Sequence, residues 1–136
     1  MFDLLHPGHV SLLQRARELG DLLAVAVNSD ASVRRLKGAG RPYIPQRDRA
    51  LMLASLEAVD YVVIFPQDTP IRVIREARPH VLVKGSDWTA ARIAGSDIVE
   101  AGGGQVVRLP LRRGVSTTRI AGRIRGARRT SRRRSF

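Results

Sequence analysis

Apolar runs of strand length alternate along the chain with stretches in which apolar residues recur at helical spacing. Turn residues separate them at nearly every junction. The pattern predicts strands at residues 22–27, 61–65, 81–84 and 105–109, and helices at about 7–19, 47–56, 70–77, 97–101 and 117–124. Strands that alternate with helices favour right-handed crossovers, so we expect an α/β fold with a doubly wound parallel sheet. Ligands of such sheets bind beyond the carboxyl ends of the strands.

Length and composition favour a single globular domain. The 136 residues suffice for one core, and the 43% apolar residues are mostly aliphatic, as in strands buried between helices. The chain has no cysteine, so only oxygen or imidazole groups could hold a metal. No apolar run reaches the length of a membrane span, and the amino terminus lacks a secretory signal pattern. We therefore expect a cytoplasmic protein.

The net charge of +12 is concentrated at the carboxyl end. Residues 119–136 contain eight arginines and no acid, whereas the first 118 residues hold 16 basic and 12 acidic side chains. We expect a domain at residues 1–124 and a disordered, arginine-rich tail at 125–136, because that tail has too few apolar residues to bury. Phosphate contacts of the tail with RNA or a membrane surface are conceivable, but a solvated extension is the better interpretation. No specific nucleic acid and no membrane partner is predicted.

Two histidines near the amino terminus form the most informative motif. His6 and His9 flank Pro7 and Gly8 where the first predicted helix begins, beside its unpaired backbone N–H groups. Gly8 carries no side chain, so a phosphate could approach the main chain between the imidazoles. Either histidine alone would more simply be a capping or surface residue. The four-residue unit before an amphipathic helix instead favours an anion site of the kind that nucleotidyl transfer needs.

The segment Phe2-Asp3-Leu4-Leu5-His6-Pro7-Gly8-His9 resembles the HxGH signature of the cytidylyltransferase-like superfamily. Class I aminoacyl-tRNA synthetases share that signature, but they are far longer and carry a lysine-rich second signature that is not found here. Further segments resemble the adenylyltransferase domain of bacterial ADP-heptose synthases over about residues 1–124. They lie at 26–30 (Ala-Val-Asn-Ser-Asp), 35–38 (Arg-Leu-Lys-Gly), 41–42 (Arg-Pro), 48–49 (Asp-Arg), 81–88 (Val-Leu-Val-Lys-Gly-Ser-Asp-Trp), 93–96 (Ile-Ala-Gly-Ser) and 114–118 (Gly-Val-Ser-Thr-Thr).

The resemblance implies a Rossmann-like nucleotidyltransferase fold and a specific reaction. AMP would pass from ATP, accompanied by Mg²⁺, to D-glycero-β-D-manno-heptose 1-phosphate, giving ADP-heptose and pyrophosphate. No side chain is an obvious nucleophile, which suits direct in-line attack without a covalent intermediate. By analogy alone, a homodimer is expected. No residue is assigned as a resident metal ligand.

The resemblance also assigns roles to individual residues, each with a plainer alternative. Lys37, in a glycine-rich loop, would act near the α-phosphate or would be an ordinary surface lysine. The hydroxyls of Ser116, Thr117 and Thr118 at the start of the last helix would hold phosphates, cap the helix, or do both. Asp3 is expected to orient the histidines or to help with the metal. Arg49 could be a solvated arginine on a helix whose Leu51, Met52 and Leu56 face the core. Trp88 could pack a loop instead of lining the nucleotide pocket. With this resemblance, the predicted catalytic residues are His6, His9 and Lys37, the predicted nucleotide- and phosphate-binding residues are Phe2, Asp3, Gly8, Arg49, Lys84, Gly85, Asp87, Trp88, Ser116, Thr117 and Thr118, and the predicted substrate-binding residues are Asn28, Asp30 and Lys37.

One departure from the family pattern concerns the first strand. The family has a β-strand immediately before the position of Phe2, at the centre of the doubly wound sheet. Without that strand, two neighbouring strand flanks would be unpaired. We expect that the natural chain starts earlier, the alternatives being a degraded relative or a partner that fills the gap. We also expect the 136-residue chain to be poorly stable and weakly active.

Three other functions remain open at this point. A cytidylyltransferase that acts on an alcohol phosphate such as glycerol 3-phosphate would share the phosphate machinery and would be distinguished by a nucleotide panel. A basic nucleic-acid-binding protein would lose its affinity with the tail and keep it without the histidines. A non-catalytic nucleotide-binding remnant would turn nothing over.

Overall fold

The computed structural model describes residues 2–85 and 93–132, with side chains up to residue 127. Within these residues the helices and strands alternate nearly as the sequence pattern predicts. In chain order they are α1 (Pro7–Arg17), β1 (Ala24–Asn28), α2 (Asp30–Lys37), α3 (Gln46–Ala54), β2 (Tyr61–Phe65), α4 (Ile71–Ala77), β3 (Val81–Gly85), α5 (Ser96–Ala101), β4 (Gln105–Leu109) and α6 (Thr117–Arg132).

The described strands form two separate parallel pairs. β1 pairs with β2, with Ala24 opposite Tyr61, and β3 pairs with β4, with Val81 opposite Gln105. No hydrogen bonds join the two pairs within the described residues. The predicted α/β class with parallel strands is confirmed, and the strand that the resemblance puts before Phe2 is absent from the described part of the chain.

The main core cluster lies beneath the first pair. Leu13 of α1, Val25 and Val27 of β1, Leu53 of α3 and Val59 pack together, and each is at least nine-tenths buried. Phe2 and Leu5 pack against this cluster, so the segment before α1 is tied to the first pair. Of the residues expected to face the core, Leu56 packs against this cluster, whereas Leu51 is 66% exposed because the helix turns Leu53 inward instead.

The second pair is covered by α4 and α5, which bury Ile74 and Val99. Gly95 begins α5 with a φ of +87°, and a Cβ there would collide with the Cδ1 atom of Ile74. Glycine suits both the positive φ and the close approach. The two helices α4 and α5 are therefore closely packed against each other, but no residue of β3 is fully buried.

Two helices differ from the sequence prediction. The structure contains α2, where a loop was expected, because Ser29 caps its start by accepting a hydrogen bond from the backbone N–H of Ser32 at 3.2 Å. The last helix continues to Arg132, eight residues beyond its predicted end at residue 124, and the disordered tail stays a prediction. Arginine and alanine are good helix formers, which accounts for the extension. The domain boundary at residue 124 stays a prediction.

No helix in the described ranges is both long enough and apolar enough to cross a membrane.

Candidate functional site

The first half of the histidine motif caps α1. His6 has extended backbone angles, and its Nδ1 atom accepts a hydrogen bond from the backbone N–H of Gly8 at 3.1 Å. Because Nδ1 is the acceptor, the proton of the neutral imidazole is on Nε2. Pro7 occupies the first helical position, where its missing N–H costs nothing. His6 thus satisfies one N–H group of the helix terminus and keeps Nε2–H available as a donor.

The two imidazole rings of the motif lie against each other. Their centroids are 3.7 Å apart in a stacked arrangement, and the ring of Phe2 meets His9 edge-on at 4.9 Å. A Cβ on Gly8 would lie 2.9 Å from the His6 ring, so the turn accepts glycine alone without rearrangement. The Nδ1 atom of His9 is buried and has no hydrogen-bond partner among the described residues.

Both histidines are neutral at pH 7. The pKa of His9 is lowered from 6.5 to about 4, mainly by burial and to a smaller extent by the neighbouring His6. Burial also lowers the pKa of His6. In this state the imidazoles can bind an anion through N–H groups, and an anion placed beside them would favour the protonated form.

The start of α6 lies next to this segment. The hydroxyl of Thr117 is 3.5 Å from the carbonyl oxygen of Leu4, to which it points as a donor. Ser116 caps the helix by accepting a hydrogen bond from the backbone N–H of Arg119 at 3.2 Å. Two helix N-termini therefore approach each other at Leu4, and each provides N–H groups and a positive dipole end to an anion. Thr118 is exposed on the first turn of α6.

An open groove runs beside the histidine motif. It combines apolar and polar side chains of α1 with the arginine of the loop that leads into α6. A Cβ on Gly8 would lie 3.9 Å from the Cβ atom of Arg112, so that loop passes directly over the helix start. The groove is lined by Leu5, His6, Pro7, Val10, Ser11, Gln14 and Arg112.

Asp3 binds the loop before α3, not the histidines. Its carboxylate accepts hydrogen bonds from Arg41 Nε at 2.7 Å, from the Tyr43 N–H at 2.9 Å and from the Ile44 N–H at 3.1 Å. The residue is 2% exposed. The expectation that Asp3 orients the imidazoles is therefore corrected. Within the described residues, no three histidine, aspartate or glutamate side chains are grouped to hold a metal.

Arg49 is enclosed within the fold. It is 1% exposed and donates to the carbonyl oxygens of Ile44 and Asn28, at 2.9 Å each, and to the Asp30 carboxylate at 2.8 Å. It is thus not the solvated helix arginine of the plainer interpretation. Its buried Nη1 atom has no partner among the described residues. A phosphate contact by Arg49 stays a prediction.

The other assigned residues lie at strand and helix ends. Asn28 ends β1 and donates to the hydroxyl of Ser32 at 3.1 Å. Lys37 is the exposed last residue of α2, and Gly38 follows it with a φ of +93°. The prediction that Lys37 lies within a loop is therefore wrong, because it ends a helix. Lys84 and Gly85 end β3, and a Cβ on Gly85 would lie 2.8 Å from a side-chain carbon of Leu111. Asp87 and Trp88 lie outside the described residues.

Three residues near the site, Arg41, Tyr43 and Arg112, have no role predicted from the sequence. Arg41 stacks over the Tyr43 ring at 4.6 Å, and Arg125 donates to the Tyr43 hydroxyl at 3.1 Å. The Arg-Pro dipeptide at 41–42 was noted only as a point of resemblance. Its contact with Asp3 joins residues 38 positions apart, and no local sequence signal reports such a contact.

The sequence model of the cytidylyltransferase-like family matches residues 1–123, which is most of the chain and includes both helix starts of the site. The chain belongs to the cytidylyltransferase-like family. As a member of it, the chain is a nucleotidyltransferase.

Relatives of this cytidylyltransferase-like chain are similar over nearly its whole length. A bifunctional protein HldE from Geotalea uraniireducens is 56% identical over 91% of the chain, and one from Syntrophotalea carbinolica is 54% identical over 90%. The chain spans about a quarter of the length of each of these relatives.

A solved structure shares the fold. The lipopolysaccharide core biosynthesis protein from Thermoplasma volcanium superposes with a TM-score of 0.70 over 82% of this chain and 92% of that one, at 24% identity.

Proposed function

We propose that this nucleotidyltransferase transfers AMP from ATP to heptose 1-phosphate, giving ADP-heptose and pyrophosphate. The observation that carries the proposal is the meeting of the two helix N-termini at Leu4, with the stacked histidines on one and the Ser116 and Thr117 hydroxyls on the other. That arrangement provides N–H and O–H donors, as a triphosphate requires.

The hydrogen-bond donors of the two helix starts would contact different phosphates of the nucleotide. The His6 Nε2–H, the imidazole of His9 and the N-terminus of α1 would face the α-phosphate. The start of α6 would hold the β- and γ-phosphates. A phosphate oxygen of the sugar phosphate attacks the α-phosphorus, its new P–O bond forms as the bond to the bridging oxygen breaks, and pyrophosphate leaves with the electron pair. The histidine donors stabilise the charge that develops on the α-phosphate oxygens.

Mg²⁺ enters this proposal as part of the substrate, MgATP. Asp3 and Asp30 are both engaged with arginines, at 2.7 Å and 2.8 Å. Among the described residues neither carboxylate is therefore free to replace phosphate oxygens around the ion. Phosphates and water would supply most of its ligands, as is usual for magnesium in phosphoryl transfer.

The choice of ATP and a heptose phosphate rests on likeness. The segments that resemble the adenylyltransferase domain of ADP-heptose synthases run through most of the chain. The name of the relatives, bifunctional protein HldE, and the quarter of their length that the chain spans suit a domain that performs one of two activities. ATP is a cytoplasmic substrate, so we propose action in the cytoplasm, and by analogy with the family we propose a homodimer.

A substrate panel tests the proposal. Pyrophosphate release would be measured with ATP, CTP, GTP or UTP and Mg²⁺, against heptose 1-phosphate and glycerol 3-phosphate as acceptors. We expect release with ATP and heptose 1-phosphate and little without an acceptor. Preference for CTP and glycerol 3-phosphate would replace the proposal with the cytidylyltransferase alternative. Nucleotide binding without turnover of any pair would favour the non-catalytic alternative.

A further inference from the structure

Arg41 is held in a fixed orientation beside the histidine segment. Its Nε donates to Asp3 at 2.7 Å, its guanidinium lies over the Tyr43 ring at 4.6 Å, and its side chain is 19% exposed. None of the hydrogen bonds among the described residues uses its two Nη groups. A guanidinium fixed through Nε and through its plane presents the remaining N–H donors as a ready fork.

The surroundings of Arg41 are positive. Arg125 reaches the hydroxyl of Tyr43, so two guanidinium groups meet at one tyrosine. Asp3 is the one carboxylate that touches either of them within the described residues, and two backbone N–H groups already share its charge. Lys37, four positions before Arg41, ends its helix exposed. An anion bound here would meet little opposing charge.

The position relative to the histidines suggests which anion. Asp3, the partner of Arg41, lies three residues before His6 on the same segment. The nucleotide phosphates are accounted for at the starts of α1 and α6, whereas the acceptor brings a phosphate of its own that must be held beside the α-phosphorus. A planar fork matches a phosphate monoester with two parallel hydrogen bonds.

We propose that Arg41 binds the phosphate group of the acceptor, and that Asp3 and Tyr43 are positioning residues that hold its guanidinium. This inference rests on the proposed function, since it assigns the second substrate of that reaction. It adds a substrate-binding residue that the sequence analysis did not assign.

The test replaces the guanidinium group of Arg41 by an amine, which keeps the positive charge but not the planar pair of donors. Arg41→Lys should raise the KM for heptose 1-phosphate by about tenfold or more, because a lysine cannot form the two parallel hydrogen bonds. Arg41→Gln, which also removes the charge, should raise it further. The KM for ATP should stay within about twofold and the melting temperature within a few degrees. Arg35→Lys is the matched control, because Arg35 also donates through Nε to an aspartate, Asp68, at 2.8 Å, but on the exposed surface.

Equal changes in both KM values together with a lower melting temperature would show that Arg41 only supports the fold, and would overturn the inference. A wild-type KM for the acceptor in Arg41→Lys would overturn it too, with the proposed function intact. Calorimetric titration with heptose 1-phosphate separates the two proposals, because it needs no turnover. Weaker binding in Arg41→Lys would support the inference even if no nucleotide were turned over, whereas unchanged binding would contradict it.

Discussion

The two strand pairs differ in how their strands are buried. In the first pair, Val25 and Val27 of β1 are 5% and 0% exposed and lie in the main core cluster. In the second pair, every residue of β3 is half-buried, although its sequence, Val-Leu-Val-Lys-Gly, is as apolar as that of β1. Strands of parallel sheets are normally covered on both faces and both flanks. The described residues therefore cover β3 less completely than β1, although Tyr61 and Val63 of β2 in the first pair are exposed as well.

The candidate site obtains its rigidity from the half of the molecule that contains the first strand pair. Asp3 and Arg49 are held by the loop before α3, the end of β1 and the start of α2, Arg41 is held by Asp3, and α1 packs Leu13 into the core beside them. On its other side α1 contacts the second pair through Arg15, which donates to the carbonyl oxygen of Pro110 at 3.0 Å. The histidine helix thus bridges the two halves. Low stability and weak activity of the 136-residue chain stay predictions.

Removing the buried arginine of the first half should have the largest effect on stability. Arg49→Met leaves the Asp30 carboxylate and two carbonyl oxygens without their donor, so we expect the free energy of unfolding to fall by about 3 to 5 kcal/mol. Arg72→Met is the matched change in the second half, where Arg72 pairs with Glu76 on the surface, and should cost under about 0.5 kcal/mol. Urea unfolding measures both. Similar losses would contradict the difference between the halves.

A pair of leucine truncations should give the next largest difference. Leu53 is 1% exposed in the core of the first half, and Leu53→Ala should cost about 2 to 4 kcal/mol. Leu82 lies half-buried on β3, and Leu82→Ala should cost about 1 kcal/mol, because less apolar area leaves the interior. The same unfolding experiment compares them. A cost for Leu82→Ala equal to that for Leu53→Ala would mean that β3 is covered in solution.

The smallest effect concerns pH and the bridging helix. The pKa of His9 is lower in the folded chain, about 4, than the usual 6.5, so the unfolded chain binds a proton first as the pH falls. The stabilisation by neutral His9 is complete above pH 6.5 and is lost toward pH 4. The urea midpoint should therefore fall from pH 7 to pH 5, and less so in His9→Gln. His80→Gln is the control on an exposed histidine, and an identical pH slope in His9→Gln would refute the assignment.

Local patterns predicted most of the fold. The strand runs and the cap residues gave the strands within two residues, for example 22–27 against the observed Ala24–Asn28. Helix α2 was missed because its start signal, Ser29, stands beside a strand end and its last residues lead into glycines. The histidine motif was predictable because its functional residues, His6 to His9, are contiguous in the sequence. The contact of Asp3 with Arg41 was not, because it depends on how two distant loops pack.

The most direct test of the central claim compares two histidines in the catalytic assay. Pyrophosphate release from ATP and heptose 1-phosphate would be measured for the wild-type chain, for His9→Ala and for His80→Ala, after circular dichroism shows that all three are folded. Loss of donors at a developing phosphate charge predicts a fall in kcat/KM of about 100-fold or more for His9→Ala. His80 lies before β3, outside the site, so its variant should stay within about twofold of wild type. Equal activity of the two variants would contradict the assignment of nucleotidyl transfer to the start of α1.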